Sequence, residues 1–310
     1  MKVKRSDRSN TNVWASEQLR SIKQKSLSKL IKLIISGLTQ LTRTKRKTLI
    51  KNIGKTLLYF AKKTRLRAIK NIANAMPELS LKEVSDLAFD AYGNCAFGVV
   101  ESFWLAEIEP EIFCDEDTLR ILQSGEGACI ATMHMGCYEA VPLAIAKFSN
   151  QSVTLTNIPS FIADSMDFYS AANITAINKK STNAFSELLK ESASNAYISL
   201  HCDLYANQTD VTFFGKKTKA PAGIVLLAKM NRKPLLLAYA IYQGDGHVQV
   251  FFETLYVNQK QTDTNLSEHS SEQKAEVTVE QLMSNIYQRF EHIIRQYPNQ
   301  WYWSYNRWKK

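Results

Sequence analysis

The stretch Ala128-Cys-Ile-Ala-Thr-Met-His134-Met-Gly-Cys-Tyr-Glu139-Ala-Val141 decides how this chain is read. Ala128 to Met133 is a short apolar run preceded by Gly125 and Gly127, which predicts a buried strand. His134 and Gly136 end it, and a helix-like segment from Tyr138 to Ala146 follows. At such a strand–turn–helix corner the side chains are held by the sheet and face an open edge. His134 and Glu139 fit a base and the carboxylate that orients it. An imidazole takes a proton from a hydroxyl, and an acid fixes its tautomer and stabilises the cation that forms. With 29 acids in 310 residues, this spacing alone does not separate such a pair from a strand-end histidine satisfied by its turn. His201, His247, His269 and His292 have no acid five places on.

Outward from this corner, the charge is uneven. Residues 1–70 hold 20 of the 39 Lys and Arg against only Asp7 and Glu17, whereas the remaining 240 residues are net acidic. Apolar residues recur at helical spacing through Leu27, Leu30, Ile31, Ile34, Leu38 and Leu41, and again from Leu49 to Phe60, with lysines between them. Basic amphipathic helices of this kind lie in the plane of anionic membranes. Nucleic acid is the competing anion, but no binding motif or aromatic platform stands among these lysines, so it is not expected as a partner. No run approaches the ~18 apolar residues of a spanning helix, and no signal peptide is visible. Five cysteines without Cys-x-x-Cys spacing predict reduced thiols in a cytoplasmic compartment and no zinc site.

Ser80 followed by Glu83 is a capping-box pattern that opens a long helix to about Trp104, and Glu116–Gln123 is a further helix. Beyond the His134 corner we expect strands over 153–155, 196–202, 234–242 and 247–255, the last two a hairpin, and helices over 185–192, 223–230 and 279–296. Residues 215–219 read as a loop, and 258–278 as a polar loop of poor order. Helices and strands alternate, so the fold class is α/β. It is a single domain, 48–310, with a mixed, mostly parallel central sheet flanked by helices. Residues 1–47 form a basic, membrane-associating segment before it.

Four blocks in order resemble the bacterial lipid A late acyltransferase family, within the lysophospholipid acyltransferase superfamily. They are Arg67 through Pro77-Glu-Leu-Ser80, the Gly125–Glu139 block, Asp203 through Phe213-Phe214-Gly215 to Ala220-Pro-Ala-Gly223, and Tyr297-Pro-Asn-Gln-Trp-Tyr-Trp303 through Arg307-Trp-Lys309. The resemblance implies transfer from an acyl carrier protein thioester to a hydroxyl of a lipid A precursor or related membrane lipid. It places that reaction at the cytoplasmic face of the inner membrane, with neither metal nor organic cofactor. His134 would be the general base and Glu139 its orienting partner.

Around this pair, Gly136 lets the backbone approach the reacting carbonyl or merely makes the turn. Asp203 lines the same edge or caps a turn. Phe213 and Phe214, beside Gly215, line an apolar channel or fill the core. Trp301, Trp303 and Trp308 form an interfacial belt beside Arg307 and Lys309, or seal the core; Gly136, Asp203, Phe213, Phe214, Gly215 and Arg307 are the substrate-binding residues expected. The chain departs from the family pattern where a Tyr-Arg-Pro would stand, having Leu155-Thr-Asn-Ile-Pro159, and has Asn178-Lys179-Lys180 for an Arg-x-Gly. Transfer of a small acyl or aminoacyl group is the alternative reaction, and a non-catalytic membrane scaffold the alternative of another class.

Overall fold

Strand β2 (Cys129–Thr132) is buried along its whole length, because both faces of the sheet around it are covered. Cys129 and Ala131 point into one hydrophobic core and Ile130 into the other, the period of two that a pleated strand imposes. The structure, a computed structural model, describes residues 26–157, 165–244, 246–257 and 277–309. The basic stretch 1–25 and most of the polar loop read at 258–278 lie outside the described residues.

In chain order the helices before the sheet are α1 (residues 26–39), α2 (Arg43–Phe60), α3 (Lys62–Ala75) and α4 (Leu81–Glu101), the last continued by a 3-10 turn, Ser102–Glu107. The expected boundary at 47 falls inside α2. Then come β1 (Glu111–Phe113), α5 (Glu116–Gln123), β2 and α6 (Ala140–Ala146). Next are β3 (Ser152–Thr156), α7 (Ser165–Ala171), β4 (Ile174–Asn178), α8 (Ala184–Ala193) and β5 (Tyr197–His201). The remainder is β6 (Thr209–Phe213), β7 (Lys216–Ala220), α9 (Gly223–Met230), β8 (Leu235–Tyr242), β9 (Val248–Tyr256) and α10 (Val279–Gln296).

Seven strands form the main sheet in the order β1-β9-β8-β2-β5-β3-β4. All pairings are parallel except that of β8 with β9. The fold is thus the α/β class expected from the alternating pattern, with β2 in the middle. Local chemistry sets the helix starts. Ser80 and Glu83 make both bonds of the capping box that opens α4, and Thr278 with Gln281 does the same for α10.

Three sequence expectations need correction. Strands β1, β4 and β6 are not among the strands expected from the sequence; β1 has only three residues, and β4 and β6 mix buried with exposed positions over just five. Residues 215–219 are no loop, because Lys216–Ala220 pairs antiparallel with Thr209–Phe213. The turn between them has Phe214 at φ +50° and Gly215 at φ +69°, the two positive values of a tight hairpin. A phenylalanine in that position hides the turn from sequence reading. Trp301 and Trp303 form no interfacial belt. They are fully buried against each other and Phe213.

No helix among the described residues is long and apolar enough to cross a membrane. Apolar side chains nonetheless stand in solvent on α1 (Leu30, Leu33, Ile34) and on α2 (Leu49, Ile53, Leu57, Phe60).

Candidate active site

His134 lies two residues beyond β2, and Asp203 two residues beyond β5. These strands are neighbours in parallel register, with Thr132 opposite His201, so the same offset brings His134 and Asp203 side by side at the carboxyl edge. The Asp203 carboxylate is fully buried. It accepts from His134 Nδ1 at 2.8 Å, from the His134 backbone N–H at 3.0 Å and from the Trp301 indole N–H at 2.9 Å. Burial by itself would raise its pKa. The facing His134, with His201 and the Trp301 N–H, outweighs that and holds it at about 2. Asp203 is therefore an ionised acceptor, and Nδ1 carries the proton of the shared bond. That leaves Nε2 as the basic nitrogen, without a hydrogen-bond partner among the described residues. The ring keeps 26% of its side-chain surface exposed.

Glu139, expected to orient His134, does not hold this bond. It sits at the start of α6, where its Oε1 accepts from the Tyr169 hydroxyl of α7 at 2.9 Å and its Oε2 is buried without a hydrogen-bond partner among the described residues. Burial raises its pKa to about 7, against the opposing effects of the Tyr169 bond and of His134 nearby. Glu139 is thus close enough to act on His134 electrostatically, while Asp203 makes the contact. Strand register, invisible in local spacing, decides between the two acids.

Gly136 has φ +54°, and a Cβ there would stand 2.4 Å from the Ala240 carbonyl oxygen. Its N–H donates to the Gln300 carbonyl at 3.0 Å. Both features serve the turn and its packing. From α4, Gly98 comes so close that a Cβ on it would meet the Gly136 oxygen at 2.4 Å.

Phe213, Phe214, Gly215 and Arg307 are not brought to His134. Phe213 and Phe214 pack with Trp301, Trp303 and Trp308. Arg307 is fully buried, donating to the Thr218 hydroxyl, the Lys219 carbonyl and the Tyr287 hydroxyl.

Two cavities meet at His134. One, about 450 Å³, is bounded by His201, Lys179, Asn157, Tyr205 and apolar residues of α8, β5 and α9. The other, about 400 Å³, is bounded by Leu57 of α2, Tyr92, Cys95 and Val99 of α4, and Tyr138 and Tyr302.

Local sequence reading passed over His201 and Tyr138. Their rings pack against that of His134 with centroids 4.3 and 5.3 Å away. Burial, with His134 next to it, lowers the His201 pKa to about 3, and its Nε2 has no hydrogen-bond partner among the described residues. His201 is therefore a neutral wall of the site. Its place at the end of the strand beside β2 was the available signal. Among the described residues no group of three or more His, Cys, Asp or Glu is placed to hold a metal ion.

A family model described as "Bacterial lipid A biosynthesis acyltransferase" matches residues 20–310. No curated protein matches the chain.

Proposed function

The chain belongs to the bacterial lipid A biosynthesis acyltransferase family, and on that premise we propose that it moves an acyl group from an acyl carrier protein thioester to a hydroxyl of a lipid A precursor. The observation that carries this reading is the Asp203–His134 bond at the junction of two cavities. One cavity can present the donor and the other the acceptor, with a single base between them.

The thioester is already activated, so placement and proton transfer are what the protein must supply. Nε2 of His134 takes the hydroxyl proton as the oxygen attacks the thioester carbonyl. Asp203, ionised and held by three donors, stabilises the imidazolium that results. When the tetrahedral intermediate collapses, the C–S bond breaks and the departing sulfur takes that proton from Nε2. The base is thereby restored, and an ester and a free carrier thiol are the products.

The basic first quarter and the exposed apolar residues of α1 and α2 suit a peripheral enzyme at the anionic cytoplasmic face of the inner membrane. An acidic acyl carrier protein would be steered to the same surface.

The test is transfer by purified protein from an acyl carrier thioester to a lipid A precursor in mixed vesicles, read by mass spectrometry. The expected result is an added acyl ester that His134→Ala abolishes. Full transfer by His134→Ala would overturn the proposal.

A further inference from the structure

Helix α2 carries one apolar stripe that no other part of the described structure covers. Leu49, Ile53, Leu57 and Phe60 fall within an 80° arc at ~100° per residue, and Leu57 and Phe60 are 57% and 76% exposed. The adjoining face, Ile50, Gly54 and Leu58, centred about 100° further round the helix, is buried. Exposed Lys45 precedes the stripe, and exposed Lys62 and Lys63 follow Phe60. Cations flanking an apolar strip suit an interface with anionic headgroups above and hydrocarbon below.

The stripe is also the rim of a cavity. Leu57 and, from α4, Val99, which is 52% exposed, both line the 400 Å³ cavity whose inner end is His134. Other walls of this cavity are Tyr92, Cys95 and Ala96 of α4, with Tyr138 and Tyr302. An apolar passage therefore runs from an unpartnered helix face to the basic nitrogen.

We propose that the α2 stripe rests on the anionic leaflet and that a hydrocarbon chain of a bilayer-resident lipid enters the protein sideways, between α2 and α4, past Leu57 and Val99. The role of His134 at the inner end rests on the acyltransferase reading; the entry route does not. A chain arriving this way never crosses water, so the lipid substrate reaches the base without being extracted from the bilayer. The 450 Å³ cavity, with Lys179 and the polar Asn157 in its wall, is left for the carrier-borne thioester.

The full chain is incubated with vesicles of phosphatidylethanolamine and phosphatidylglycerol containing a phospholipid with a diazirine in its acyl chain. It is then irradiated, and the adducts are mapped by peptide mass spectrometry. Adducts are expected on 49–60, on 92–100 and on 134–138. Val99→Trp, or separately Leu57→Trp, fills the rim and should cut the 134–138 adducts about tenfold, the loss of roughly two buried methylenes, while those at Leu49 and Ile53 persist.

Adducts confined to 49–60, unchanged labelling in both tryptophan variants, or cross-links only between two copies of the chain would overturn the proposal. Labelling needs no turnover. If no acyl transfer occurs but the adducts form, the acyltransferase reading falls and the entry route stands. If transfer proceeds without the inner adducts, the reverse holds.

Discussion

Asp203 lies 69 positions after His134 in the chain and 2.8 Å from it in space. Parallel pairing of β2 with β5 creates this neighbourhood, and the indole of Trp301 closes it from a third direction. The acid that holds the imidazole is therefore a long-range partner, and this has measurable consequences.

Asp203→Asn keeps the shape but removes the charge opposite Nδ1. We expect kcat to fall by about 10²–10⁴ with the far-ultraviolet circular dichroism unchanged. Glu139→Gln still accepts from Tyr169, and its loss should stay below about tenfold. The reverse ranking in steady-state transfer assays would make Glu139 the orienting acid.

Glu139 also shapes stability against pH. Its folded pKa of about 7 lies above the ordinary glutamate value of 4.5, so the folded state binds its proton more tightly than the unfolded chain does. That stabilisation is complete below about pH 4.5 and is lost as pH rises through 7. Glu139→Gln removes the dependence. Urea denaturation from pH 4.5 to 8 should show the variant gaining on the parent protein by a few kcal/mol, to order of magnitude. Parallel curves would disprove the burial effect.

Alanine in place of a mid-helix glycine ordinarily stabilises by about 1 kcal/mol. At Gly98 the added Cβ would stand 2.4 Å from the Gly136 carbonyl oxygen, and backbone gives way poorly. We expect Gly98→Ala to destabilise by about 1–3 kcal/mol and to slow turnover by displacing the corner that carries His134. A raised Tm with full activity would contradict the packing described.

Arg307→Met retains bulk but strips a donor from the Thr218 hydroxyl, the Lys219 carbonyl and the Tyr287 hydroxyl. A loss of about 2–4 kcal/mol in chemical denaturation is expected, with KM for the lipid unchanged in the folded fraction. Unaltered stability with a raised KM would instead give Arg307 a part in substrate binding.

The parts of this architecture legible in the sequence are those whose signals are local. The helices Glu116–Gln123, Gly223–Met230 and Val279–Gln296 end where their periodicity ends, and the Ser80 cap forms both its bonds. The strand ahead of His134 stood out as an apolar run between glycines. What escaped was decided by pairing. β1 and β4 exist because neighbours complete them, and the β6–β7 turn places a phenylalanine at positive φ. At the site, His134 was legible, but the choice between Glu139 and Asp203 depended on the register of two strands. Spacing along the chain cannot encode such a register.

Trp301 belongs to the segment after α10, and it bridges to Met135 as well as donating to Asp203. Gln300 beside it accepts the Gly136 N–H. During synthesis, the histidine and its acid thus leave the ribosome well before the indole that finishes their network. The corner that carries His134 can therefore be completed only after the last segment of the chain has been made, so a truncated chain lacking it would hold the histidine and Asp203 without their third partner.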